Sequence, residues 1–193
     1  MPTYTINNFP GNNTTSSPIQ TELLLAVLNA VSSQTLVGEN SDELAQELTI
    51  VGGAYTAKNA VVPSAGTLSF QFDASNGYVV QIRAVRLYTD DTVNAPQYRI
   101  HWFNTAPPAQ TDKVAYTASY AQAVAGKRKR HTMPVMANDN GHGFCEDISN
   151  WIEIKAGDAD NKIYFQLQTL TAGNIAANAK LTIVVDFALK TIQ

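Results

Sequence analysis

Three histidines (His101, His131 and His142) and a single cysteine, Cys145, are the residues from which a nucleophile or a soft metal site would have to be built. A nucleophile needs a base beside it and a third group to orient that base. None of the three histidines stands in a local signature of that kind. The sequence also holds no G-x-S-x-G, P-loop or G-x-G-x-x-G phrase. The densest cluster, "DNGHGFCED", brings together Asp139, His142, Cys145, Glu146 and Asp147. Zinc sites want four ligands at paired spacings, and His142 with Cys145 is one soft pair. The phrase therefore reads as a glycine-flanked loop with Phe144 and Cys145 tucked under a sheet. "GDADNK" sets Asp158, Asp160 and Asn161 between two strands. It lacks the further oxygens and the distant bidentate glutamate of a calcium loop, and reads as a hairpin turn. The expectation is a protein that is not an enzyme and carries no metal or cofactor.

The stretch "VAGKRKRHTM" carries different chemistry. Lys127, Arg128, Lys129 and Arg130 stand consecutively in a chain of net charge −3. Outside this run nine cations face sixteen acids, so the remainder is distinctly acidic and the run is a local anomaly. In a strand, Lys127 and Lys129 would face one side and Arg128 and Arg130 the other. Neither face could then be buried without partners, which makes this an edge strand or a loop. Edge lysines discourage unwanted strand pairing, and the same cations could dock on an acidic protein surface. Nucleic acid is the less favoured partner, because no second basic patch extends the footprint.

Aromatic residues divide by strand parity. Tyr98 and Trp102 share a face with Ile100 and read as core, whereas Arg83, Arg86, Arg99 and His101 read as an outer face. Tyr164, with Gln166 and Gln168 on a wet face, is the best candidate for stacking on a sugar.

These residues are positioned mostly by strands. "TLSFQFD", "QYRIHWFN", "KIYFQLQT" and "KLTIVVDFALK" all alternate apolar and polar residues with period two. "GYVVQIRAVRLYTD" changes phase near Ala84, which a β-bulge would repair; the alternative is a strand with both faces partly buried. Weaker strands fall around "LTIVGGAYT", "DKVAYTA", "KRHTMPVM" and "NWIEIK". Turn phrases such as "ASNG", "DDTVNAP" and "TAGN" separate them. No long helix lies between strands, so crossover connections in a parallel sheet are not expected. The expected fold is mainly β: an antiparallel, jelly-roll-like β-sandwich of about eight or nine strands.

Ahead of it, residues 1–17 are rich in Asn, Thr, Ser, Pro and Gly and read as a polar arm. "SPIQTELLLAVLNAVSS" has a capping serine, Ser17, then Pro18 at the first helical position and an apolar stripe at helical spacing. "SDELAQEL" reads as a shorter second helix. The expected division is an arm and helical segment over 1–48 and a β-sandwich domain over 49–193. With 193 residues, 45% hydrophobic and 15% charged, the chain suits one such domain, its polar positions filled by Asn, Gln, Thr, Ser and Ala. One cysteine rules out an internal disulfide. The longest apolar run, Leu23 to Leu28, is too short to span a bilayer. The opening residues carry no basic leader before an apolar stretch, so the expected location is the cytoplasm, or a particle assembled there.

Across "FNTAPP" (Phe103 to Pro108) and "TDKVAY" (Thr111 to Tyr116) the chain resembles a family of small tailed-bacteriophage structural proteins. The likeness covers about 40 residues as phrases and residues 67–190 as a strand pattern. It implies a β-sandwich virion protein of capsid decoration, or cement, type on the capsid surface. It further implies the major capsid protein or other virion proteins as partners, and a homo-oligomer, with a trimer suiting threefold positions. The basic run and the N-terminal arm and helix depart from the family's pattern. The alternative expectation is a glycan-binding or tail-associated adhesin module.

Overall fold

Residues 42–72, 78–91, 95–139, 141–149, 151–155 and 161–191 are described by a computed structural model. The expected arm and the helix after Ser17 lie outside these residues. The described chain is mainly β, and every strand pairing in it is antiparallel.

Its elements in chain order begin with β1 (Asp42–Ile50), β2 (Gly53–Tyr55), β3 (Ala60–Val61), β4 (Pro63–Ala65), β5 (Ser69–Gln71), β6 (Tyr78–Thr89) and β7 (Tyr98–Phe103). A short helix α1 (Tyr120–Ala125) precedes β8 (Lys129–Thr132), β9 (Ala137–Asp139), β10 (His142–Asp147) and β11 (Ile152–Lys155). The last strands are β12 (Lys162–Thr169), β13 (Gly173–Ile175) and β14 (Lys180–Thr191). One sheet runs β4-β1-β14-β6-β10-β9, with β11 also on β6; the second runs β3-β12-β7-β8, with β5 also on β12.

The pairing is nested. Eight strands carry it: β1, β5, β6, β7, β8, β10, β12 and β14. The first pairs with the eighth, the second with the seventh, the third with the sixth and the fourth with the fifth. β14 then joins β6, and β12 joins β7, so successive pairs fall into alternate sheets. The inward residues of both sheets form one core cluster. Ile163, Phe165 and Leu167 enter it from β12, Tyr98, Ile100 and Trp102 from β7, and Leu181, Ile183 and Val185 from β14. Period two is thus realised as side chains turned to a shared interior, the main favourable term in folding.

β6 shows how the chain handles its phase change. Asp186 lies opposite Ala84 and Phe187 opposite Ile82, so Arg83 is an extra residue bulged from the ladder. The bulge keeps Val80, Ile82, Val85 and Leu87 all inside and leaves Arg83 and Arg86 facing out.

One expectation fails at the start of the described chain. "DELAQEL" (residues 42–48) is strand rather than helix, with Leu44 opposite Val185 and Leu48 opposite Leu181. Leu44 and Leu48 lie four apart, a spacing common to a helix stripe and to one face of a strand. Gln46 between them hides the period-two pattern, and pairing with the 12-residue β14 decides the outcome. β1 runs through residue 48, so residues 42–48 belong to the sheet. Gly66 makes the return from β4 possible. Its φ is +103°, and a Cβ there would come within 2.6 Å of the Glu47 carbonyl oxygen.

Candidate docking edge

The basic run is built by a helix end. Ser119 caps α1: its hydroxyl accepts from the Gln122 amide, and the Gln122 side chain accepts from the Ser119 amide. At the other end the Lys127 amide donates to the Val124 carbonyl at 3.1 Å, and the Arg128 amide to the Ala123 carbonyl at 2.9 Å. These are the two bonds of a Schellman cap, whose left-handed position is held by Lys127 at φ 46°. The chain then enters β8 at Lys129. There Trp102 lies opposite Lys129, His101 opposite Arg130 and Ile100 opposite His131. Among the described residues β8 pairs with β7 alone, so it is an edge strand, as the charge pattern required.

The four cations do not share one surface. Lys127, Arg128 and Lys129 line a groove of about 520 Å³ together with Lys155, Glu153, Val79, Ala123, Val124 and Ile154. Arg130 stands outside that lining, across from His101. The groove's one acid among the described residues is Glu153, held by the Lys190 ammonium and the Gln81 amide. Those contacts, the Lys190 hydrogen bond foremost, hold its carboxyl below the usual range. β11, which supplies Glu153 to Lys155, pairs with β6 alone among the described residues. Groove and cations therefore sit where each sheet offers an edge.

Behind β8 the chemistry is sealed. His131 is 0% exposed, and its Nε2 lies 3.4 Å from the Oδ2 of Asp147, itself 5% exposed. Asp147 also accepts from the amide and hydroxyl of Ser149. The pair ties β8 of one sheet to β10 of the other. Burial pushes the Cys145 thiol up to about 12, which keeps it protonated and unreactive.

His142 and Cys145, the soft pair of the sequence, lie on opposite faces of β10. His142 is half-buried outside near Tyr88, while Cys145 is buried inside. Phe144 is also outward, its ring 5.0 Å from that of Tyr88, and does not tuck inward. Among the described residues no three of His, Cys, Asp and Glu converge as metal ligands.

The outer face of the β12–β7 sheet is not wet. His101, expected outside with Arg99, is 3% exposed: its ring stacks on Tyr116 at 4.2 Å, and its Nε2 lies 3.1 Å from the Gln168 Oε1. Burial lowers its pKa to about 4, so the ring is neutral at physiological pH. Gln166 and Gln168 are buried as well. The Gln166 amide donates to the Pro108 carbonyl at 2.7 Å and its carbonyl accepts from the Tyr116 hydroxyl at 2.9 Å.

The cover is the segment after β7, residues 104–118. It is fixed by Asp112, which accepts from the Tyr55 hydroxyl and the Val62 amide, and by backbone bonds such as Tyr116 to Lys58. Strand parity marked these positions as polar and outward. It carried no sign that a loop would lie over them. Tyr164 lines a largely apolar cleft of about 240 Å³ with Leu68, Pro107, Ala109 and Gln166.

On the other sheet Arg86 gathers Asp186, Glu146 and Glu43 at 2.6, 2.7 and 3.0 Å, the Asp186 hydrogen bond raising its pKa most. No helix among the described residues is long and apolar enough to cross a membrane. No protein-family model matches the chain, and no curated protein is significantly similar to it.

Proposed function

We propose that the protein is a non-enzymatic bacteriophage structural protein: a jelly-roll β-sandwich that binds the capsid shell as a homo-oligomeric decoration, or cement, protein and stabilises it. The nested strand order carries the reading. A pairing of first with eighth, second with seventh, third with sixth and fourth with fifth, dealt into two antiparallel sheets over a common core, is the wrapping of a jelly roll, a fold used by viral capsid and lectin domains. Fold alone does not assign function. The resemblance over Phe103 to Tyr116 adds to it, since Asn104 to Tyr116 lie in the segment pinned across the β12–β7 sheet. The burial of His131, Asp147 and Cys145 favours adhesion over chemistry, because a reacting group must reach its substrate. The basic edge offers a binding surface on an otherwise acidic protein.

The test adds purified protein to particles lacking it and measures occupancy and the temperature of DNA release. The expected result is saturable binding and a higher release temperature. A chain that neither binds nor protects contradicts the proposal. Removal of residues 1–33 is expected to lower both; unchanged values would take the N-terminal arm out of the account.

The glycan-binding alternative is less favoured, because the Gln166 and Gln168 side chains are buried.

A further inference from the structure

We infer that the groove between the α1–β8 junction and β11 docks an extended acidic segment of a partner protein that carries an aliphatic side chain. The inference deepens the proposed function and rests on its premise of a protein partner.

Charge selects the ligand's sign. Among the described residues, Lys127, Arg128, Lys129 and Lys155 line the groove with one acid, Glu153, which Lys190 also holds. This concentration lies in a chain of net charge −3, so the field is local and suits a short anionic stretch.

The floor selects the ligand's class. Val79, Ala123 and Val124 give the groove an aliphatic base, with Val124 57% exposed and Ile154 buried beneath. Among the described residues no aromatic ring lines it. Single-stranded nucleic acid gains its affinity from stacking on such rings and from longer basic tracks. An aliphatic side chain between acids matches this lining better.

The flanks select the ligand's shape. β8 and β11 are edge strands among the described residues, a setting in which an extended peptide can add through backbone hydrogen bonds.

The backbone provides a clean variant. Lys127 holds a left-handed conformation that glycine adopts more easily, so Lys127→Gly removes a charge while easing the turn. Lys58, at φ 70° in the turn before β3, allows the same change away from the groove.

The experiment measures fluorescence anisotropy of the full chain with a labelled nonapeptide of Asp and Glu bearing a central Leu. Saturable binding that weakens with salt is expected. Lys127→Gly combined with Lys129→Gln should weaken it about tenfold, Lys58→Gly should leave it unchanged, and replacing the peptide's Leu by Gly should weaken it. Absence of binding, equal binding by the double variant, indifference to the Leu, or tighter binding of an oligothymidylate of equal charge would each overturn the inference. Absence of the protein from particles would instead remove the proposed function while leaving the peptide affinity intact.

Discussion

His101 shows how one side chain sets a pH response. Buried against Tyr116, it has a pKa of about 4 in the folded chain, against an ordinary 6.5. Below pH 6.5 the unfolded chain takes up a proton that the folded chain refuses, so stability falls with pH until about 4. Between pH 7 and pH 5 this one group should remove about 2 kcal/mol. His101→Gln, which cannot titrate, should shrink the difference between the urea-unfolding free energies at those two pH values by that amount. Trp102 makes a packing test. It is fully buried, with its ring 5.7 Å from that of Phe165, and Trp102→Ala should cost about 3–5 kcal/mol in urea unfolding at pH 7. A cost near 1 kcal/mol would mean that the two sheets do not share the core assigned to them. Both roles differ in legibility. The parity of "QYRIHWFN" placed Trp102 inside at once, whereas the burial of His101 depends on a residue fifteen positions later, Tyr116, which parity does not relate to it.

At the scale of elements, the covering segment over residues 104–118 is a separate structural feature with its own anchor. Asp112→Ala removes the acceptor for the Tyr55 hydroxyl and the Val62 amide, and should destabilise the protein by about 1–3 kcal/mol, with faster hydrogen exchange at Val62. α1 should behave differently, because it buries no residue. Ser119→Ala removes its cap, and its cost of about 1 kcal/mol should appear as local exchange at Gln122 and Ala123 with little change in Tm. Strands with clean alternation, such as "KLTIVVDFALK", were legible because a single face is buried and period two reports it. The bulge at Arg83 was legible too, since Val80, Ile82, Val85 and Leu87 could not otherwise share an interior. β1 was not: with Gln46 facing the same way as Leu44 and Leu48, its pattern suits helix and strand equally, and only β14 settles the choice. The basic run was legible as an edge. Its partition into Lys127, Arg128 and Lys129 on a groove and Arg130 elsewhere was not, because Lys155 and Glu153 come from a strand more than twenty residues away.

For the whole molecule, the nested strand order, the sealed His131–Asp147 pair and the basic edge all favour a rigid block made for attachment. Repetition on a symmetric lattice would turn weak edge contacts into stable decoration, since linked sites bind far more tightly together than singly. The proposed role in a particle requires that the protein be found on the particle's surface. Quantitative mass spectrometry of purified virions, paired with imaging of the same particles, tests this most directly. The account predicts the protein at a fixed stoichiometry to the major capsid protein, with density outside the shell at symmetric positions. Protein found free in the host lysate, with none in the purified particles, would contradict it.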